Sequence, residues 1–254
     1  MSTTIERIPD HLDAAQRERR PIDALPDTLT LDDAYWIQHG VLGRRTSRGE
    51  RPVGIKLGFT SRAKMAQMGV SEIVVGQLTD AMRIPDGGAV ALSGFIHPRI
   101  EPEIAFRLAW DIDVADPHAD IEGAVDAVAP ALEIIDSRYR DFRFTLPSVI
   151  ADNTSAAGFV LGPWRPPGID LANRAVRLEV NGAAVAHGTT AAILGHPMRA
   201  LHALVPVARA RGFRLHAGQI VLAGAASAAV AFQPGRVSAI VAGVGRVDLR
   251  GVDG

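Results

Sequence analysis

In the first fifty residues apolar positions fall at helical spacing, whereas from Pro52 onward they alternate or gather in short runs broken by Gly, Pro and Asp. The pattern predicts a helix from residue 10 to about 20, opened after Pro9 and ended by Pro21, whose ring cannot continue it. A second helix is predicted from Thr30, with Asp33 three positions on as its capping-box partner. Leu31, Ala34, Ile37, Val41 and Leu42 line one side of it, and loop composition returns at 46–49.

Beyond Pro52 the runs VGIKLGF, EIVVGQL, AVAL, RIEPEIAFRLAW, ALEIID, AVRLEVNG, QIVLAG, AAVAF, RVSAIVAG and RVDLRG all predict strands. Two helical patterns interrupt them, at about 120–128 and at 198–211, the second closed by Gly212. Asn181-Gly182 between two runs predicts a tight type I′ hairpin. Many short strands with few helices, and a strand-only end, predict an α+β protein with a mixed or antiparallel β-rich core rather than a doubly wound sheet. The expected organisation is an N-terminal helical segment over 1–50 and a β-rich catalytic domain over 51–254.

Composition then excludes several classes. With 254 residues, 47% apolar and 22% charged, the chain can bury a full core. A formal net charge of −1 gives no global field for nucleic acid or an anionic membrane. No run approaches the roughly 20 apolar residues a spanning helix needs, and the charged N-terminus does not resemble a signal peptide, so a cytoplasmic enzyme is expected. The absence of cysteine leaves only oxygen and imidazole ligands for any metal.

The candidate chemistry sits in three strand patterns. In 99–108, alternation sends Ile100, Pro102, Ile104, Phe106 and Leu108 one way, and Glu101, Glu103, Ala105 and Arg107 the other. The two carboxylates are then neighbours on one face, where their repulsion calls for a cation; a solvated face is the plain alternative. Pro102 cannot donate to a ladder, which points to an edge or bulge there. Glu133, set inside the apolar run 130–135, needs a buried partner: either a metal or an ion pair with Arg138 or Arg140. Three carboxylates with waters suit Mg²⁺ or Mn²⁺. Lys56 lies between Gly54 and Gly58, where another group can approach closely; it can serve acid–base chemistry, hold an anion, or simply face solvent. Arg138, Arg140 and Arg143 form a basic cluster that suits a dianionic substrate or a solvated face. His196 before the 198–211 helix fits a turn, the isolated Gly243 and Gly245 do not make a dinucleotide site, and Ser155 has no nucleophile-elbow setting.

Taken in order, GIKLGFTS at 54–61, GQLTDAM at 76–82, HPRIEPEIAF at 97–106, ALEIIDSR at 131–138, IADNTS at 150–155, LGHP at 194–197 and LAGAAS at 222–227 resemble the hydratase/decarboxylase branch of the fumarylacetoacetate hydrolase superfamily. The resemblance runs from about Leu29 to Arg250. It implies a flattened, barrel-like mixed sheet, with Mg²⁺ (or Mn²⁺) on Glu101, Glu103 and, thirty residues later, Glu133. It implies Lys56 and Asp80 as catalytic residues, and Leu57, Arg138, Ser155 and Ser227 as substrate-binding ones. The segments 64–70, His97-Pro98 and 136–144 resemble decarboxylases of (3E)-2-oxohex-3-enedioate. The alternative is hydration of 2-hydroxypenta-2,4-dienoate on the same platform. A β-diketone hydrolase would need a His–carboxylate pair, for which the sequence offers no clear candidate. A pure binding protein would not need Lys56 beside three metal carboxylates. Pro102 and Arg236 depart from the family pattern without removing a ligand. The expected partner is a small 2-oxo dicarboxylate, with no nucleic acid and no membrane, in a homo-oligomer that associates, on one reading, with a partner hydratase.

Overall fold

The computed structural model describes residues 5–26, 28–61, 65, 66, 69 and 72–254. The chain begins with α1 (Ile8–Glu18) and α2 (Leu31–Ser47), then runs through β1 (Pro52–Gly58), β2 (Val74–Thr79), β3 (Arg83–Ile84), β4 (Ala89–Ala91) and β5 (Arg99–Leu108). After β6 (Val125–Ile135) come a short helix, α3 (Leu146–Ala151), and β7 (Ala156–Leu161). The hairpin β8 (Ala175–Val180) and β9 (Ala183–Thr189) leads to α4 (Pro197–Arg211). The chain closes with β10 (Ile220–Ala225), β11 (Val230–Ala231), β12 (Gly235–Val241) and β13 (Gly245–Val252).

Local chemistry sets several of these boundaries. Thr30 Oγ1 accepts from the Asp33 backbone N–H at 3.1 Å while Thr30 N–H donates back to the Asp33 carboxylate at 3.1 Å, the reciprocal cap that starts α2. α1 begins earlier than expected because Pro9 fits its first turn, and it ends at a left-handed Arg19 (φ 55°) before Pro21 is reached. Asn181 and Gly182, at φ 51° and 85°, make the two-residue turn between β8 and β9.

Among the described residues the strands form two mixed sheets. The larger, eight-stranded and curled like half a barrel, runs β2-β1-β10-β5-β6-β7-β3, with β11 also paired to β5. The smaller runs β4-β13-β12-β8-β9. Most pairs are antiparallel; β1/β10, β3/β7 and β4/β13 are parallel. The helical N-terminus packs into the same core as the large sheet: Leu12, Ala34, Ile37 and Val41 join Ile55, Leu57, Ile104 and Phe106. Gln38 Nε2 pins α2 down by donating to the carbonyls of Val75 (2.8 Å) and Ile150 (2.9 Å).

Two expectations fail here. The pattern at 120–128 is no helix; it is a turn at 121–124 followed by the start of β6. Ile121, Ala124, Val125 and Val128 are buried while Asp120, Glu122 and Asp126 are exposed, so a turn running into a strand repeats the spacing of one helical face. The AAVAF run yields only the two residues of β11.

β5 is where the large sheet opens. Its ladder with β10 covers 103–107, with a register break between Leu222 and Ala225, and β11 takes over only at Ile100 and Arg99. Pro102 sits in the gap, so its missing donor leaves no neighbouring strand carbonyl unpaired on that side, and its own carbonyl accepts from Ala226 N–H at 2.8 Å.

Candidate functional site

The β5/β6 register sets Glu101 directly opposite Glu133, and alternation brings Glu103 to the same face. One carboxylate oxygen from each of the three lies within 4.8 Å of the other two, the group among the described residues best placed to share a cation. Glu103 and Glu133 are buried, at 1% and 0% exposure, where paired like charges are costly.

Lys56 reaches this cluster from β1. Its Nζ lies 3.0 Å from Glu133 Oε2 and donates to the Thr154 carbonyl at 3.2 Å. The partner of Glu133 is therefore Lys56, not Arg138 or Arg140. Gly224 N–H, freed by the register break in β10, donates to Glu103 Oε2 at 2.8 Å. Glu103 Oε1 and Glu133 Oε1 remain buried with no hydrogen-bond partner.

With all groups ionised, three carboxylates against one ammonium leave a net charge of −2. Burial, then the repulsion of Glu133 and Glu101, pushes Glu103 well above the usual carboxylate range. Burial raises Glu133 as well, against the pull of Lys56. Burial works against the Lys56 charge, but Glu133, Glu101 and Glu103 outweigh it and hold its pKa above the ordinary lysine value. An all-oxygen donor set, two orphaned carboxylate oxygens and a deficit of two positive charges together fit a hard divalent cation.

The Thr154 carbonyl is presented by strained backbone. Asn153, Thr154 and Ser155 are all left-handed, at φ 49°, 51° and 60°, a conformation that costs a β-branched residue most. Asn153 is fixed to β2 by reciprocal 2.8 Å bonds with the Gln77 backbone. Gly76 lets the segment lie close, since a Cβ there would stand 2.2 Å from Thr154 Oγ1 and 2.8 Å from the Asn153 carbonyl. On the other side, Arg138 and Asp152 form a buried ion pair, and Arg138 also donates to the carbonyls of Asp136 (3.0 Å) and Ala156 (3.2 Å). The Ser155 hydroxyl donates to Asp152 at 3.3 Å. Burial lifts Asp152 to about 6 despite Arg138.

Above the cluster lies a cavity of about 1130 Å³. Lys56, Leu57, Glu101, Ser155 and Ser227 line it. Two other expected site residues do not. Asp80 sits past the far end of β2, four residues from Gly76, where it accepts from the Arg51 backbone and Nε at 2.9 Å each. Those bonds hold its carboxyl below the usual range, and they make it an anchor for the β1/β2 end rather than a cavity group. Arg138 is buried and turned inward onto Asp152, with four of its five N–H donors bonded to protein acceptors, and it does not line the cavity. Arg99, His187 and Phe142 also line the cavity and were not anticipated. Only Arg99 carried a signal, its position two residues before Glu101 on the same strand face. His196 Nδ1 accepts from Met198 N–H at 3.2 Å, capping α4 as a turn histidine should. Within 64–70, Lys64, Gln67, Met68 and Val70 lie outside the described residues.

Comparison with known proteins bears on the family and the fold. A family model described as fumarylacetoacetate (FAA) hydrolase C-terminal matches residues 53–250. A 4-oxalocrotonate decarboxylase of Pseudomonas sp is 48% identical over 233 residues, covering 91% of each chain. A 2-keto-4-pentenoate hydratase of Paraburkholderia xenovorans (strain LB400) is 40% identical over 240 residues, covering 92% of this chain and 89% of the relative. Among solved structures, 4-oxalocrotonate decarboxylase from Pseudomonas putida G7, complexed with magnesium and adipate, superimposes with a TM-score of 0.91 at 35% identity. That match covers 98% of this chain and 97% of the other.

Proposed function

The chain belongs to the fumarylacetoacetate hydrolase family, and from that premise we propose that it is a divalent-metal-dependent decarboxylase of (3E)-2-oxohex-3-enedioate (4-oxalocrotonate). Its products would be 2-hydroxypenta-2,4-dienoate and CO₂, in the meta-cleavage breakdown of aromatic compounds. The observation that carries the reading is the cluster of half-buried Glu101 with buried Glu103, Glu133 and Lys56 beside a cavity large enough for a small dicarboxylate.

Glu101, Glu103 and Glu133 would hold the cation, Mg²⁺ with Mn²⁺ as a substitute, and the site lies wholly within 51–254 while 1–50 forms the helical segment. When bound, the cation supplies Lewis-acid withdrawal of electrons from a 2-oxo acid. The rest of the chemistry belongs to the chain. As the C5–C6 bond breaks and CO₂ leaves, its electron pair moves through C4=C5 and C2=C3, and negative charge gathers on the 2-oxo oxygen. Lys56, kept protonated by its three acidic neighbours, places fixed positive charge beside that oxygen. Ser155 donates its proton to Asp152, so its lone pairs face the cavity as acceptors, and Ser227 offers a second hydroxyl. Leu57 gives the conjugated chain an apolar wall.

Incubating the purified protein with Mg²⁺ and hexenedioate while following CO₂ release tests the reading. Hydration of the pentadienoate with no CO₂ formed would replace it with the hydratase alternative, which the 40% identical relative keeps in view. No helix among the described residues is long and apolar enough to cross a membrane. The expected setting is cytoplasmic. The expected assembly is a homo-oligomer, or a complex with a hydratase that consumes the dienol, to be checked by light scattering with and without that enzyme.

A further inference from the structure

We propose that Arg99 recognises the second carboxylate of the substrate and thereby selects dicarboxylic over monocarboxylic 2-oxo acids. The assignment rests on the decarboxylase reading, and it deepens it by naming what holds the end of the molecule that leaves.

Arg99 shares a strand face with Glu101 and Glu103, one two-residue step further along β5, about 6.6 Å at the usual strand rise. It lines the same cavity as Lys56 and Glu101. A six-carbon diacid, extended through C–C bonds of about 1.5 Å, separates its carboxylate carbons by about 6 Å. A substrate bound by its C1–C2 end at the glutamate cluster therefore brings its far carboxylate to the level of Arg99. A five-carbon product or monoacid has nothing to place there.

The guanidinium is held in position yet leaves its donors available. Its Cζ stands 4.4 Å from the centroid of the Phe142 ring. That ring packs on His97 at 4.8 Å, and His97 Nε2 is 2.7 Å from the Ser137 carbonyl, so the stack has a fixed base. Stacking uses the face of a guanidinium and spares the N–H groups at its edge, which suit a carboxylate. The residues paired with Arg99 across the sheet, Ile135 and Ala231, are apolar. The nearby Asp136 is occupied by the backbone N–H groups of Ile96 and His97, at 2.8 Å each. Among the described residues no carboxylate pairs with Arg99, whereas Arg107 on the same face has Asp126 at 2.8 Å. Besides Lys56, which is committed to Glu133, the remaining basic group on the cavity wall is His187, and it belongs to β9 of the smaller sheet.

Because the leaving carboxylate gives up its charge as the C5–C6 bond breaks and neutral CO₂ departs, the ion pair is strongest in the ground state, and the effect belongs to binding. The test measures competition by 2-oxoadipate and by 2-oxopentanoate, and their binding to the Mg²⁺-loaded protein by calorimetry, in wild type, R99M, R99K and H187Q. Wild type should prefer the diacid. R99M should bind the diacid about tenfold more weakly and show a KM about tenfold higher, the scale of one charge-assisted hydrogen bond, while 2-oxopentanoate binds as before and R99K recovers part of the preference. Three results would each overturn the assignment: no diacid preference in wild type, preference retained in R99M, or equal weakening of both acids. Preference lost in H187Q but not in R99M would also overturn it. Loss of the preference in R99M from a protein that releases no CO₂ would leave Arg99 assigned and remove the decarboxylase reading instead.

Discussion

Arg138→Met isolates the buried pair behind the site. Arg138 and Asp152 are 2% and 0% exposed, and removing one member of such a pair costs about 3–5 kcal/mol. The structure makes the loss depend on pH. Burial already raises Asp152 to about 6 with Arg138 present, and without the guanidinium it must titrate higher still. Below pH 6 the carboxyl is neutral in both proteins, so the difference reduces to lost hydrogen bonds and packing. Above pH 6 the wild-type group ionises while the variant's stays protonated or pays more to ionise. The destabilisation therefore grows by up to 1.36 kcal/mol per pH unit, or about 2.7 kcal/mol between pH 6 and 8. The sign is that of any carboxyl raised in the folded state: stability present at low pH is lost as pH rises through the folded pKa. Urea unfolding of both metal-free proteins at pH 5, 6, 7 and 8 reads this directly, and the shared titrations of Glu103 and Glu133 cancel in the difference. A difference that stays flat between pH 6 and 8 would refute the account of Asp152 as a charge kept ionised by Arg138.

Glu103→Gln should weaken Mg²⁺ binding by more than about a hundredfold, since even residues that only orient ligands cost 10–100-fold. Turnover should fall with it while far-UV circular dichroism stays unchanged; calorimetry showing wild-type Mg²⁺ affinity would remove Glu103 from the ligand set. In the metal-free protein, Glu103 and Glu133 are raised by burial and, for Glu103, by its acidic neighbours, so an entering cation must displace protons. Affinity should thus increase with pH and level off once both are ionised, and titration in buffers of different ionisation enthalpy should detect proton release. An affinity independent of pH, with no proton released at any pH, would contradict the raised carboxyls.

Much of the site was legible because strands have a period of two. That period alone put Glu101 and Glu103 on one face, and the apolar run around Glu133 marked a carboxylate in need of a partner. The identity of that partner was not legible: Lys56 and Glu133 stand three strands apart in the order β1-β10-β5-β6 and meet across the hollow of the curled sheet, which no local pattern carries. Asp80 and Arg138 show the limit of matching motifs, since their side chains are committed to Arg51 and Asp152 by the turn after β2 and the buried segment before β7. The missed strand start at Val125 failed for a different reason. Its buried residues, together with Ile121 and Ala124 of the preceding turn, fall by chance at helical spacing, whereas the capping box of α2 and the Asn181-Gly182 turn depend only on near neighbours and were readable.

The break between β10 and β11 along β5 has a consequence for how such a scaffold can diversify. Of the segment 225–229 that spans the break, Ala225 and Ala226 still join β5 at Glu103 and Pro102, whereas 227–229 contribute to the cavity wall outside the ladder. Exchanges of side chain or length there alter which acids are admitted without shifting the β5/β6 register that sets Glu101 opposite Glu133. That part of the substrate range set by this segment, unlike the part assigned to Arg99 on β5 itself, can thereby drift while the glutamate site is held.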